Sequence, residues 1–221
     1  IRMIYGVDTI DVPPNKICKR VRTKTLIVPT EVQKHELIIR QIKEITKAKR
    51  PILVITLSIE ESQELSEKLK TEKISHYVLN DQQDEDEDFI IDRAGRCGAV
   101  TIATNTAGRG TDIRLDKVAN EKGGLHVIIA FHPINIRVEC QGLGRAGRQG
   151  QQGSCQIIFC SEKYSTNNPE ATDETMRQVY EERSERVMKD SLQRIMRVRK
   201  EQEIFDILSK YFEYLMNLRR F

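Results

Sequence analysis

Two short segments of the chain put arginine among glycines: Ala107-Gly108-Arg109-Gly110-Thr111-Asp112-Ile113 and Gln141-Gly142-Leu143-Gly144-Arg145-Ala146-Gly147-Arg148-Gln149-Gly150. Glycine removes the Cβ that would hold an anion away from backbone N–H groups, and a guanidinium brings a fork of donors to the same oxygens. The chemistry that suits is phosphate handling. Arg145 and Arg148 are three residues apart, so on a helix both would face the same way. A γ-phosphoryl group in a loose transition state spreads charge over its oxygens, and a positioned arginine contributes on the order of 10³–10⁵ in rate. No G-x-x-x-x-G-K-[ST] segment, the backbone cradle for the other phosphates, occurs anywhere in the chain. These residues therefore describe the trailing half of a nucleotide-driven motor, lending arginines to a nucleotide held by another domain.

Other patterns carry less. Gly142-Leu143-Gly144-Arg145-Ala146-Gly147 satisfies the dinucleotide pattern G-x-G-x-x-G. That fingerprint should follow a first strand directly, whereas Ile136 to Gln141 has the pattern of a helix start. Asp84-Glu85-Asp86-Glu87-Asp88 is a run of five acids. Adjacent residues on a helix diverge, so a solvated first turn favoured by the macrodipole is expected rather than a metal site. His35, His76, His126 and His132 are scattered, and no Ser/His/Asp or Cys/His spacing suggests nucleophilic catalysis. The five cysteines are an odd number without C-x-x-C, as expected of reduced thiols in an intracellular protein.

The elements that must position the arginines follow from periodicity. Val32, Leu37, Ile38, Ile42 and Ile45 recur at helical spacing. Pro51 opens Ile52-Leu53-Val54-Ile55-Thr56-Leu57, the unbroken run of a strand covered on both faces. Ser58 with Glu61 is a capping-box start for a helix through about Lys70. Further strands are expected at His76–Leu79, Ala99–Ala103, Leu125–Ala130 and Gln156–Phe159. Alternation of strands and helices predicts a parallel α/β sheet, with ligand contacts at the carboxyl ends of the strands. The first arginine segment directly follows the third of these strands, and the second lies after the fourth. Residues 1–28 look irregular, with an extended piece at Thr25-Leu26-Ile27-Val28 ended by Pro29.

Beyond Pro169 the character changes. Residues 171–221 contain neither Gly nor Pro, with balanced charge and Ile204, Leu208, Tyr211, Leu215 and Leu218 forming a seam at spacings of 4, 3, 4 and 3. A long helix is expected there, with its seam packed on another domain or on a second copy of the chain. Net charge is +3, too small to imply a polyanion partner. Aromatics make up 5%, and Trp is absent, so the stacking platforms of a nucleic-acid channel have little support. No apolar run reaches membrane-spanning length and no signal peptide leads the chain. The missing initiator Met suggests a piece of something longer.

The residues together resemble a known family. Ala107 to Ile113 resembles motif V of superfamily 2 motors, and Gln141-x-x-Gly144-Arg145-x-Gly147-Arg148-Gln149-Gly150 resembles their motif VI. Thr101-Ile102-Ala103-Thr104-Asn105-Thr106 running into the first segment, then Gly123-Gly124-Leu125-His126, is similar to the SecA preprotein translocase ATPase family. So are Ile4-Tyr5-Gly6-Val7-Asp8-Thr9, Val78-Leu79-Asn80 and Ile204-Phe205-Asp206-Ile207 with Glu213-Tyr214. The resemblance implies a RecA-like parallel sheet flanked by helices, followed by a long C-terminal helical segment. It divides the chain into a lead-in segment (1–28), a second motor domain (29–169) and a helical scaffold segment (170–221). It also implies ATP bound mainly by a P-loop domain in cis, which would hold the Mg²⁺, and preprotein and membrane-channel partners.

By likeness Arg145 and Arg148 would be the catalytic arginine-finger pair, and Asp112 would contact ribose or nucleotide. Arg109 would link motif V to the phosphate side, with Gly108 and Gly110 lining it, and Gln141 would couple nucleotide state to domain closure. A cytoplasmic or organellar, peripherally membrane-associated motor follows from the same likeness. The chain departs from the family at Gly142-Leu143, where Leu-Arg is usual, and at Gln151 and Leu215-Met216, where acids are usual. Two other readings remain open at this point: a superfamily 2 nucleic-acid helicase half, and a non-catalytic, decayed motor domain acting as an interaction module.

Overall fold

The computed structural model describes residues 8, 10, 12–80, 87–108, 110–162 and 173–218, the last stretch with side chains only at 182, 185, 186 and 188–211. The described residues form seven strands: β1 (Lys19–Arg22), β2 (Leu26–Val28), β3 (Ile52–Thr56), β4 (Tyr77–Leu79), β5 (Val100–Thr104), β6 (Leu125–Ile129) and β7 (Gln152–Cys160). They form one sheet in the order β1-β7-β6-β3-β5-β4, with β2 also on β7, and every pairing is parallel. The helices are α1 (Glu31–Lys47), α2 (Ile59–Thr71), α3 (Glu87–Ala94), α4 (Lys117–Glu121), α5 (Ile136–Leu143) and α6 (Asp173–Leu218).

β3 is the central strand, and all five of its residues are buried. Because side chains alternate, its two sets feed two cores. Ile52 and Val54 join Ile102, Ile128 and Ile158 beneath Ile38 and Ile42 of α1 and Leu65 and Leu69 of α2. Leu53 and Ile55 join Ala103, Val127, Ile129 and Phe159 beneath Ile90 of α3 and Leu143 of α5. The start of α2 is capped as the sequence leads one to expect. Ser58 Oγ accepts from Glu61 N–H at 3.3 Å, and Glu61 Oε2 reaches back to Leu57 N–H at 3.2 Å. Asn135 Oδ1 accepts from Val138 N–H at 3.0 Å and so starts α5.

β1 departs from the irregular lead-in expected there. Lys19-Arg20-Val21-Arg22 is exposed at all four positions, so no apolar alternation announces it. It is held by backbone pairing to Gln152–Cys155, and Thr23 N–H continues the ladder to Cys155 O at 2.9 Å. That same Gly- and Ser-containing stretch makes β7 begin four residues ahead of its apolar run.

Two histidines are locked inside. His126 Nδ1 lies 2.7 Å from Ser154 Oγ, and Arg50 donates to that oxygen at 2.6 Å and to Gly123 O and Gly124 O. His35 Nδ1 lies 2.8 Å from Lys68 Nζ, beside the buried Lys34 ammonium and its partner Glu31. Burial first, then Arg50, lowers the pKa of His126 to about 4. For His35 burial leads, followed by Lys68 and Lys34, again to about 4.

Residues 14–178 make one compact unit; residues 1–13 and 179–221 group as another. In the latter the helix carries Ile204, Phe205, Ile207, Leu208 and Tyr211 as exposed apolar side chains. Leu215 and Leu218 of the expected seam have side chains outside the described set. Arg199 and Glu203 pair at 3.6 Å, one turn apart. Among the described residues no helix is long and apolar enough to cross a membrane.

Candidate functional site

The first arginine segment leaves the carboxyl end of β5, and the second ends α5, the helix that follows β6. Thr104 closes β5, its Oγ1 accepting from Ala107 N–H at 3.3 Å and so turning the chain out of the sheet. Gly108 and Gly110 have φ of 65° and 91°, the left-handed conformations that favour glycine. Thr111 Oγ1 donates to Gly108 O at 2.7 Å and closes the loop on itself. The chain then runs back beside α3. A Cβ on Gly95 would lie 1.9 Å from Arg114 O, so only glycine admits this approach.

The arginines converge on that loop, but not as residues of one helical face. α5 stops at Leu143, Gly144 caps it, and Gly147 is left-handed at φ 65°. Arg145 therefore sits in the turn and Arg148 opens a short 3₁₀ turn, and each reaches the first segment separately. Arg145 Nη2 donates to Ala107 O at 2.9 Å and to Asn105 O at 3.4 Å. Arg148 donates to Gly144 O at 3.0 Å, to Thr111 O at 2.6 Å and to the Asp112 carboxylate at 3.2 Å. Helical spacing predicted the convergence for the wrong reason: glycine turns, not a shared stripe, produce it.

Electrostatics separate the two. Burial chiefly, and the Arg148 charge next, push the Arg145 guanidinium below its ordinary value, while Glu87 pulls it back. Arg148 keeps 35% of its side chain exposed, and its partner Asp112 45%. The Arg148–Asp112 pair is thus accessible from solvent, and the partly buried Arg145 braces the loop behind it.

The structure joins Gly108, Asp112, Arg145 and Arg148 of the expected set. Gln141 lies exposed on α5, and among the described residues it makes none of the hydrogen bonds that join the segments. Arg109 falls outside the described residues. Sequence reasoning missed Glu87. Its Oε1 accepts from Gly108 N–H at 3.0 Å, so this member of the acidic run is not the solvated residue expected. Asp84 to Asp86 of that run lie outside the described residues.

Between the loop, α3 and the arginines lies a cavity of about 10 Å³, lined by Leu79, Ile90, Gly108, Thr111, Arg145 and Arg148 among others. It has room for roughly one water molecule.

Comparisons with known proteins agree with one another. Residues 17–122 match the family model described as the SecA P-loop domain. Protein translocase subunit SecA of Syntrophus aciditrophicus is 38% identical over 231 residues, covering 99% of this chain and 27% of that protein. Protein translocase subunit SecA 2 of Nitrosospira multiformis is 42% identical over 159 residues, 72% of this chain and 24% of that protein. The chain thus spans about a quarter of the length of these curated relatives. The crystal structure of the E. coli DEAD-box protein SrmB bound to regulator of ribonuclease activity A contains a chain matching at TM-score 0.53 and 21% identity. That match covers 68% of this chain and 82% of the other, and it supports the fold alone.

Proposed function

This chain belongs to the SecA family and has its RecA-like fold, and from that premise we propose that it is the arginine-donating half of an ATP-driven protein translocase motor. The observation that carries the reading is the meeting of two arginine–glycine segments at one solvent-facing edge, in a chain without a P-loop. Arg148 supplies the solvent-facing positive charge at that edge. Arg145 braces the loop, and Asp112 faces the ribose side. The cavity behind them is far too small for a nucleotide, which supports ATP lying between this domain and a P-loop domain that holds Mg²⁺ and the remaining phosphates. Preprotein and a membrane channel are the partners this reading carries, at the level of the family.

Purified alone, the 221-residue chain should release no phosphate from ATP above background in a steady-state assay. Joining a P-loop domain in cis should restore turnover. Turnover by the chain alone, if sensitive to Arg148→Ala, would overturn the division of labour.

The exposed apolar residues of α6 belong to this reading as a docking face for the rest of the motor, or for a second copy in the isolated chain. A fully buried Leu or Phe gains roughly 1.5–3 kcal/mol over an exposed one, so Phe205 and Leu208 favour being covered. A chain ending at residue 169 keeps every strand. It should melt within about 5 °C of the whole chain and lose concentration-dependent association in sedimentation. Cooperative melting far below the whole chain would make the helix part of the core.

A further inference from the structure

Glu87 accepts a hydrogen bond from the backbone of the loop that carries the first arginine segment. Of the two acids that open α3, Asp88 is exposed, whereas Glu87 is partly buried and accepts from Gly108 N–H at 3.0 Å. Gly108 is itself buried and left-handed, so its N–H is fixed in direction by a backbone that other residues resist. Where Gly108 lacks a Cβ, Arg145 Nη1 comes to 3.2 Å of the vacated point. The Glu87 charge is felt by that guanidinium, favouring its protonated form. The carboxylate therefore occupies a fixed backbone N–H beside a partly buried guanidinium that it does not itself bond, and a backbone N–H with a guanidinium is the donor pair that suits an oxyanion.

We propose that Glu87 is an internal anion that gates this receptor: its carboxylate fills the Gly108–Arg145 position and must swing out before a phosphoryl oxygen can enter. A carboxylate and a phosphate cannot share one N–H, and their like charges repel strongly in a partly buried site. Glu87 is thus a specificity-determining residue for the phosphate side of the loop, and α3 is the element that carries the gate. The inference rests on the reading of the loop as an anion receptor, but not on turnover.

Glu87→Gln preserves the size and the acceptor oxygen while removing the charge, so the loop should stay in place. Titrating the full 221-residue chain with pyrophosphate at low salt should show binding tightened by about tenfold or more in Glu87→Gln. Adding Arg145→Gln to that variant should abolish the gain, with thermal melts confirming that each protein is folded. Glu87→Asp, which keeps the charge but shortens the reach, should gain less than Glu87→Gln. Equal affinity in wild type and Glu87→Gln overturns the gate. So does the absence of binding in a folded Glu87→Gln, because a neutral amide, unlike the carboxylate, should yield the Gly108 N–H to the anion. Failure here leaves the motor reading standing, since that reading fails separately, through turnover by the chain alone.

Discussion

Arg148→Ala in the full-length motor should lower kcat by about 10³-fold or more, while nucleotide affinity moves by no more than a few-fold. The argument is one of timing. Charge on the transferred phosphoryl oxygens is reorganised in the transition state, so a guanidinium placed there acts more on the rate than on binding. Arg148 suits the task because its fork is oriented by Gly144 O and Thr111 O while a third of its side chain faces solvent. Arg148→Lys should be nearly as damaging, since an ammonium cannot hold both carbonyls and still reach outward. Asp112→Ala should act on Kd instead. Single-turnover and steady-state measurements together separate these cases. A variant in which KM rises while kcat stays intact would reduce Arg148 to a binding residue.

Acidification should be the second large effect. His35 and His126 titrate near 4 when folded, against about 6.5 when unfolded. Between those values the unfolded chain takes up protons that the folded chain refuses, so the stability is complete above about pH 6.5 and is lost as pH falls towards 4. Each pH unit in that window costs roughly 1.4 kcal/mol per ring. From pH 7 to pH 5 the two together should remove roughly 3–4 kcal/mol, a large share of an ordinary domain's stability. Urea unfolding across that range would read it directly. Asparagine places an acceptor near the position of Nδ1, so His126→Asn and His35→Asn should each cost stability at pH 7 yet flatten the acid slope by about half. A double variant with the wild-type slope would assign the acid sensitivity to other groups.

How much of this is legible in the sequence depends on whether a segment is held by side chains or by backbone. Ile52 to Thr56 announces a central strand because both faces need apolar cover, and Ser58 announces a helix start through its own side-chain oxygen. β1 and the first half of β7 are held by N–H and C=O groups that every residue possesses, and no residue type signals them. At the site, residue types disclosed which side chains meet but not how. Gly147, left-handed, ends any shared helical face between Arg145 and Arg148, and the meeting depends on that turn. Glu87 was hidden for a different reason. Within five consecutive acids, composition cannot tell the one facing a loop N–H from those facing water.

The position of β1 and β2 has a consequence for how the chain comes into being. Among the described residues both pair with β7 alone, and Thr23 meets Cys155 across 132 residues of sequence. During synthesis at about 5–20 residues per second, the first strands wait roughly 7–26 s for that neighbour to be made. For that interval a basic, extended segment with unpaired backbone groups is free to engage chaperones, and the ribosome itself times the closing of the sheet.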